Sequence, residues 1–92
     1  MKITGVATGI VFKIGVTKHV TDNFMKKEVV LQTNGVGATK ASFQFINSDI
    51  DLIQNLKHGE NVRISFIVKG YDYNGETHNN LIAKTISKLT KW

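Results

Sequence analysis

The sequence contains no cysteine and no proline, and each absence removes a class of explanation. Without cysteine there is no disulfide frame, no thiolate zinc site and no cysteine nucleophile. Without proline, nearly continuous strand pairing is open to the chain, because proline removes a ladder donor wherever it sits. His19, His58 and His78 are scattered and lack metal-ligand spacing. No phosphate loop, metalloprotease helix or nucleophile elbow occurs. His19–Asp22 and Asp49–Asp51 are weak acid–base or metal pairs, the first without a nucleophile motif nearby and the second explained by a helix start. No catalytic residue, cofactor or metal is therefore expected. Apolar runs stay well short of the roughly 20 residues a spanning helix needs, so no membrane role is expected. The opening MKITGVATGIVF lacks the long apolar core of a signal peptide and runs straight into a strand pattern.

Acidic residues are also scarce, with 7 Asp+Glu against 12 Lys+Arg and a net charge of +5. Such a surplus favours a polyanionic partner through phosphate neutralisation and counterion release. The 92 residues suit one domain with a modest core.

Period-2 alternation dominates what is present. Residues 3–14 read as a long first strand in which Val6, Ile10, Phe12 and Ile14 share one parity and Gly5 and Gly9 the other. Interior glycines suit a barrel strand that bends to serve both sheets. Residues 15–23 (GVTKHVTDN) are polar and aperiodic, and read as a loop. The second strand, 24–33, sets Lys27, Val29 and Leu31 against Lys26, Glu28, Val30 and Gln32. Asn34–Gly35–Val36–Gly37 then reads as a hairpin connection. The third strand, 38–46, sets Ala41, Phe43 and Phe45 against Lys40, Ser42 and Gln44.

Residues 48–56 (SDIDLIQNL) break the strand pattern and read as a short helix. Ser48 is its expected N-cap, Asp49 and Asp51 complement its positive end, and Ile50, Ile53 and Leu56 form its buried stripe. Gly59 supplies the stop. The fourth strand, 61–73, points Val62, Ile64, Phe66 and Val68 inward and Arg63, Ser65, Ile67 and Lys69 outward. Gly70 is a candidate bulge that leaves the facing of Tyr71 and Tyr73 open. Asn74–Gly75 turns the chain into a fifth strand over 80–89. Five strands with one helix between the third and fourth is the order of the OB barrel. The expected fold is therefore all-β with one short helix, a single OB domain over 1–92.

The runs MKKEVVLQT, FINSDIDLIQNL and VRISFIVKGYDYNGETHNNLIAKTI resemble a family of small bacterial and phage OB-fold proteins similar to minimal single-stranded DNA-binding proteins. The matching features are the basic-then-apolar segment from Lys26 to Leu31, the strand from Val62 to Phe66, and the aromatic-Asn-Gly hairpin at Tyr73–Gly75. The chain departs from that pattern at Ile67, where the family often has a polar or acidic residue. It departs again at Thr77 and His78, where the family tends to have aromatics. The ending Lys88–Leu89–Thr90–Lys91–Trp92 differs from the acidic tail of typical bacterial single-strand binders. The resemblance implies single-stranded DNA binding in replication, recombination or repair, in a bacterial cytoplasm and from a host or phage gene.

Binding of single strands without sequence preference needs cations that follow phosphates and flat side chains on which bases stack. Lys26, Lys40, Arg63 and Lys69 are the candidate cations. Phe24, Tyr71 and Tyr73 are the candidate platforms, whereas Phe43, Phe45 and Phe66 belong to the core. Trp92 has three readings: a cover for an apolar patch, a fold of the KLTKW ending over a groove beside Lys88 and Lys91, or a mobile final residue. Val30 and Ile67 on the outward parity point to a second reading, an OB module that assembles with itself or with a protein partner. RNA is a third candidate ligand, since OB barrels also serve RNA.

Overall fold

Six strands and one short 3-10 helix follow one another along the chain: β1 (Ile3–Ile14), β2 (Lys18–Thr21), β3 (Phe24–Gln32), β4 (Lys40–Ile46), the 3-10 helix (Asn47–Ile53), β5 (Asn61–Tyr73) and β6 (Glu76–Lys88). They belong to a computed structural model that describes residues 2–33 and 37–89. The turn expected around Asn34–Gly35–Val36 and the placement of Trp92 lie outside the described residues.

Alternation buries one face of each long strand. Val29 and Leu31 of β3, Phe43 and Phe45 of β4, and Val62 and Ile64 of β5 form the centre of the core with Val11 and Ala83. The sheet runs β1-β5-β6-β4-β3-β2, and β1 also pairs with β3. β1 meets β5 through Ile3 to Ile10 and β3 through Ile10 to Ile14, so one strand serves both halves of the barrel. A single parallel pair, Gln44 with Ile82, joins β4 to β6. The five long strands thus form the expected OB barrel, with the helix between the third and fourth of them.

Four details differ from the sequence reading. Residues 15–23 are not wholly loop, because Lys18–Thr21 forms β2 and pairs antiparallel with the start of β3. On β1 the interior parity is the one carrying Gly9 and Val11, while Val6 is 64% and Phe12 40% exposed. Crowding explains this: a Cβ on Gly9 would lie 2.9 Å from the Gln32 carbonyl oxygen, so the glycine side faces the closure. A bulge at Phe12 then shifts the register, and Ile14 packs against the core.

The helix is a 3-10 helix, shorter than expected, and makes no side-chain capping bond. Ser48 is therefore not its N-cap. Ile46 holds the cap position, and the Asn47 side chain accepts from the Met25 N–H at 2.9 Å, tying the helix start to β3. Ile53 and Leu56 are buried and Ile50 packs against them, so the helix closes one end of the barrel as its stripe implied. Beyond it, the Gly59 N–H donates to the Val11 carbonyl at 2.8 Å. Glu60 accepts from the Lys57 N–H at 2.6 Å and pairs with Lys88 at 3.1 Å. Those bonds, the backbone one first, hold its carboxyl below the usual carboxylate range.

The fourth detail is Gly70. The β5–β6 register runs unbroken from Phe66 opposite Ala83 to Tyr73 opposite Glu76, so Gly70 is not a bulge. The irregularity lies between Ser65 and Phe66, where β6 carries the extra residue Lys84. β6 also begins earlier than expected, at Glu76, because Asn74 and Gly75 both adopt positive φ and turn the chain tightly.

Candidate nucleic-acid interface

Unbroken alternation along β5 places Arg63, Ser65, Ile67, Lys69, Tyr71 and Tyr73 on one outward face. At 13 residues this strand reaches roughly 40 Å, at about 3.3 Å per residue, and its last third projects with β6 as a hairpin arm. On the arm, Tyr71 stacks on His78 from the facing strand, with ring centroids 5.4 Å apart and an interplanar angle of 23°. Tyr73 meets the same imidazole edge-on at 6.4 Å. Tyr71 and Tyr73 remain 50% and 64% exposed, so aromatic surface is left for a further ring. Asp72 and Thr77 bond to each other at 2.8 Å, and by alternation they take the opposite side of the arm.

Below the arm the same face opens into a concavity of about 470 Å³. Its apolar lining is Phe24, Ile46, Ile67 and Ile82, with Gln44 and Asn80 as polar neighbours. Its cations are Lys2, Lys26, Lys69 and Lys84, and among the described residues no carboxylate lines it. Among the described residues Lys88–Glu60 is the one ion pair, so none of these four ammonium groups is neutralised by a neighbour. Four unpaired cations around an apolar floor suit a chain that carries phosphates on one side and flat bases on the other.

The structure thus brings Phe24, Lys26 and Lys69 together in the groove and sets Tyr71 and Tyr73 on the arm above it. Arg63 shares the outward face of β5 but lies beyond Ser65, opposite Thr8 and Ser87, and does not line the groove. Lys40 is elsewhere: its Nζ sits 4.1 Å from the centroid of the Phe12 ring, a cation–π contact at the β1 bulge. Of the two residues expected to serve self-assembly, Ile67 lines the groove and Val30 lines the neighbouring cavity that shares Lys26 with it.

Sequence reasoning missed Lys2, Lys84, Ile46, Ile82 and His78. The parity of Asn80, Ile82 and Lys84 was available in the sequence, but their meeting with β4 depends on the parallel Gln44–Ile82 contact, which no local pattern announces. Lys2 precedes the first strand and carries no signal of its own.

Residues 7–88 match a domain family described as a domain of unknown function, DUF3127, and the chain belongs to that family. No curated protein matches the sequence. In three dimensions the chain is similar to Rim1, a mitochondrial single-stranded DNA-binding protein of S. cerevisiae. That match has 13% identity and a TM-score of 0.85 and covers 100% of both chains. It is similar to the second single-stranded DNA-binding protein, SSBb, of Mycobacterium smegmatis, with 9% identity, a TM-score of 0.74 and coverage of 96% of this chain and 89% of that one. The dimeric N-terminal domain of PriB from Thermoanaerobacter tencongensis matches at 22% identity and a TM-score of 0.66, over 97% and 98% of the two chains. At these identities the likeness establishes the OB fold.

Proposed function

We propose that this protein is a non-catalytic binder of single-stranded DNA that acts in replication, recombination or repair with little overall sequence preference. The observation that carries the reading is the groove itself: Lys2, Lys26, Lys69 and Lys84 surround Phe24 and an isoleucine floor with no carboxylate among them. The phosphates follow the lysines, and bases lie on Phe24 and then on Tyr71 and Tyr73 as the strand climbs the hairpin arm. Stacking of this kind tolerates sequence because every base has a π-face. Two of the structural neighbours bear single-stranded DNA binding in their names, which supports the same reading.

Phe24 is the cleanest test. It is half-buried at the start of β3, outside the central core. Replacing it with Ala should weaken oligo-dT binding by about 1–3 kcal/mol. Titration of both proteins with the same oligonucleotide, alongside thermal melts, separates the two roles. A large loss of melting temperature with unchanged affinity would make Phe24 a packing residue and remove it from the interface.

A further inference from the structure

Resting on that single-strand reading, we propose that the cavity between β1, β2 and β3 holds one nucleotide of the bound strand and prefers an amino-bearing base, cytosine over thymine. The cavity is an open concavity of about 380 Å³, within the size range of small-ligand sites. It shares Lys26 with the groove, so a strand crossing the groove enters it without a break.

Two features of the cavity call for a phosphate. Lys18 and Lys26 are direct partners across the β2–β3 ladder, and like charges set opposite each other repel. Lys13, opposite Val30, adds a third ammonium group to the lining. Neither Lys18, Lys26 nor Lys13 has an ion-pair partner among the described residues. An anion seated between Lys18 and Lys26 turns their repulsion into binding energy.

Glu28 supplies the base preference. Its carboxylate does not pair with these lysines; its Oε2 accepts the Ser42 hydroxyl at 2.7 Å. A carboxylate offers about four lone-pair positions, so the single bond to Ser42 leaves acceptor capacity on a residue that borders both this cavity and the β3–β4 surface beside Ser42. The Gly15 N–H donates to the Glu28 carbonyl at 2.8 Å, which holds the loop side of the cavity against β3. Val16 and Val30 give apolar walls for the face of a base. Cytosine presents an N4 amino donor that a carboxylate accepts, whereas thymine presents its O4 acceptor at the corresponding position. An acceptor facing an acceptor leaves both unsatisfied.

The test compares oligo-dC with oligo-dT of equal length, slightly above neutral pH where cytosine carries no proton. The native protein should bind oligo-dC about tenfold more tightly. Glu28→Gln keeps an oxygen for the Ser42 hydroxyl but offers an amide that donates as well as accepts. In that variant the ratio should fall to about twofold or less while oligo-dT binding persists. Thermal melts of the two proteins should coincide. Equal affinities in the native protein, or a cytosine preference that survives Glu28→Gln, would overturn the proposal while leaving the single-strand reading standing. Failure of either oligonucleotide to bind the native protein would overturn both.

Discussion

A fourfold rise in salt should weaken binding of a single strand about fifty-fold, because four phosphate contacts at ~0.7 each give a log–log slope near −2.8. The count comes from Lys2, Lys26, Lys69 and Lys84, the groove cations without a carboxylate neighbour. It is a count of positions and not of net charge. Lys69→Gln should therefore flatten the slope by about 0.7, whereas Lys40→Gln should leave it unchanged, since that ammonium sits over the Phe12 ring and does not line the groove. Engagement of Lys13 and Lys18 in the adjoining cavity would steepen the slope beyond the groove value. Fluorescence titrations of the three proteins at several salt concentrations measure all of this. A salt response that is flat, or that depends on Lys40 as much as on Lys69, would mean that the phosphates run elsewhere.

The second large effect is on stability. Phe43 is 1% exposed, sits opposite Val29 in the β3–β4 ladder and meets Phe66 in a tilted pair with centroids 5.3 Å apart. Phe43→Ala removes a whole ring from a close-packed interior and should cost ~3–5 kcal/mol. Small domains hold only about 5–15 kcal/mol in total, so much of the fold's margin disappears. For a domain of this size the melting temperature should drop by at least ~12 °C. Phe66→Ala should cost less than Phe43→Ala, because Phe66 is only half-buried at the edge of the core. Thermal melts of the two variants rank them, and the reverse order would mean that the core is centred closer to β1 and β5 than described.

These residues also show which parts of the molecule were legible in the sequence. β3, β4 and β5 each bury one face against a continuous core, and period 2 then appears directly in Val29–Leu31, Phe43–Phe45 and Val62–Ile64. The helix announced itself by Ile50, Ile53 and Leu56. Ile50 and Ile53 are spaced by the three-residue turn of the 3-10 helix, and Leu56 continues the stripe just beyond its end. β1 misled because its large apolar residues lie on the exposed side before the bulge at Phe12, while crowding at the closure selects Gly9. Size was the wrong guide where backbone approaches backbone.

The candidate site was half legible for a related reason. Lys26, Lys69 and Phe24 follow from alternation and strand ends, which are local properties. Lys84 and Ile82 reach the groove only because β6 runs beside β4 in parallel, a contact between segments distant in sequence. Lys40 has the outward parity of a binding residue, but the bulge at Phe12 brings an aromatic ring beneath its ammonium. Parity assigns a side of a sheet and leaves the neighbours across it unspecified.

The most direct test of the central claim is a titration with oligo-dT and with a duplex of equal length at one low salt concentration. Phe24, Tyr71 and Tyr73 offer ring faces that only unpaired bases can stack on, so the single strand should bind more tightly than the duplex. Equal affinity for the two, or no binding of either, would contradict it.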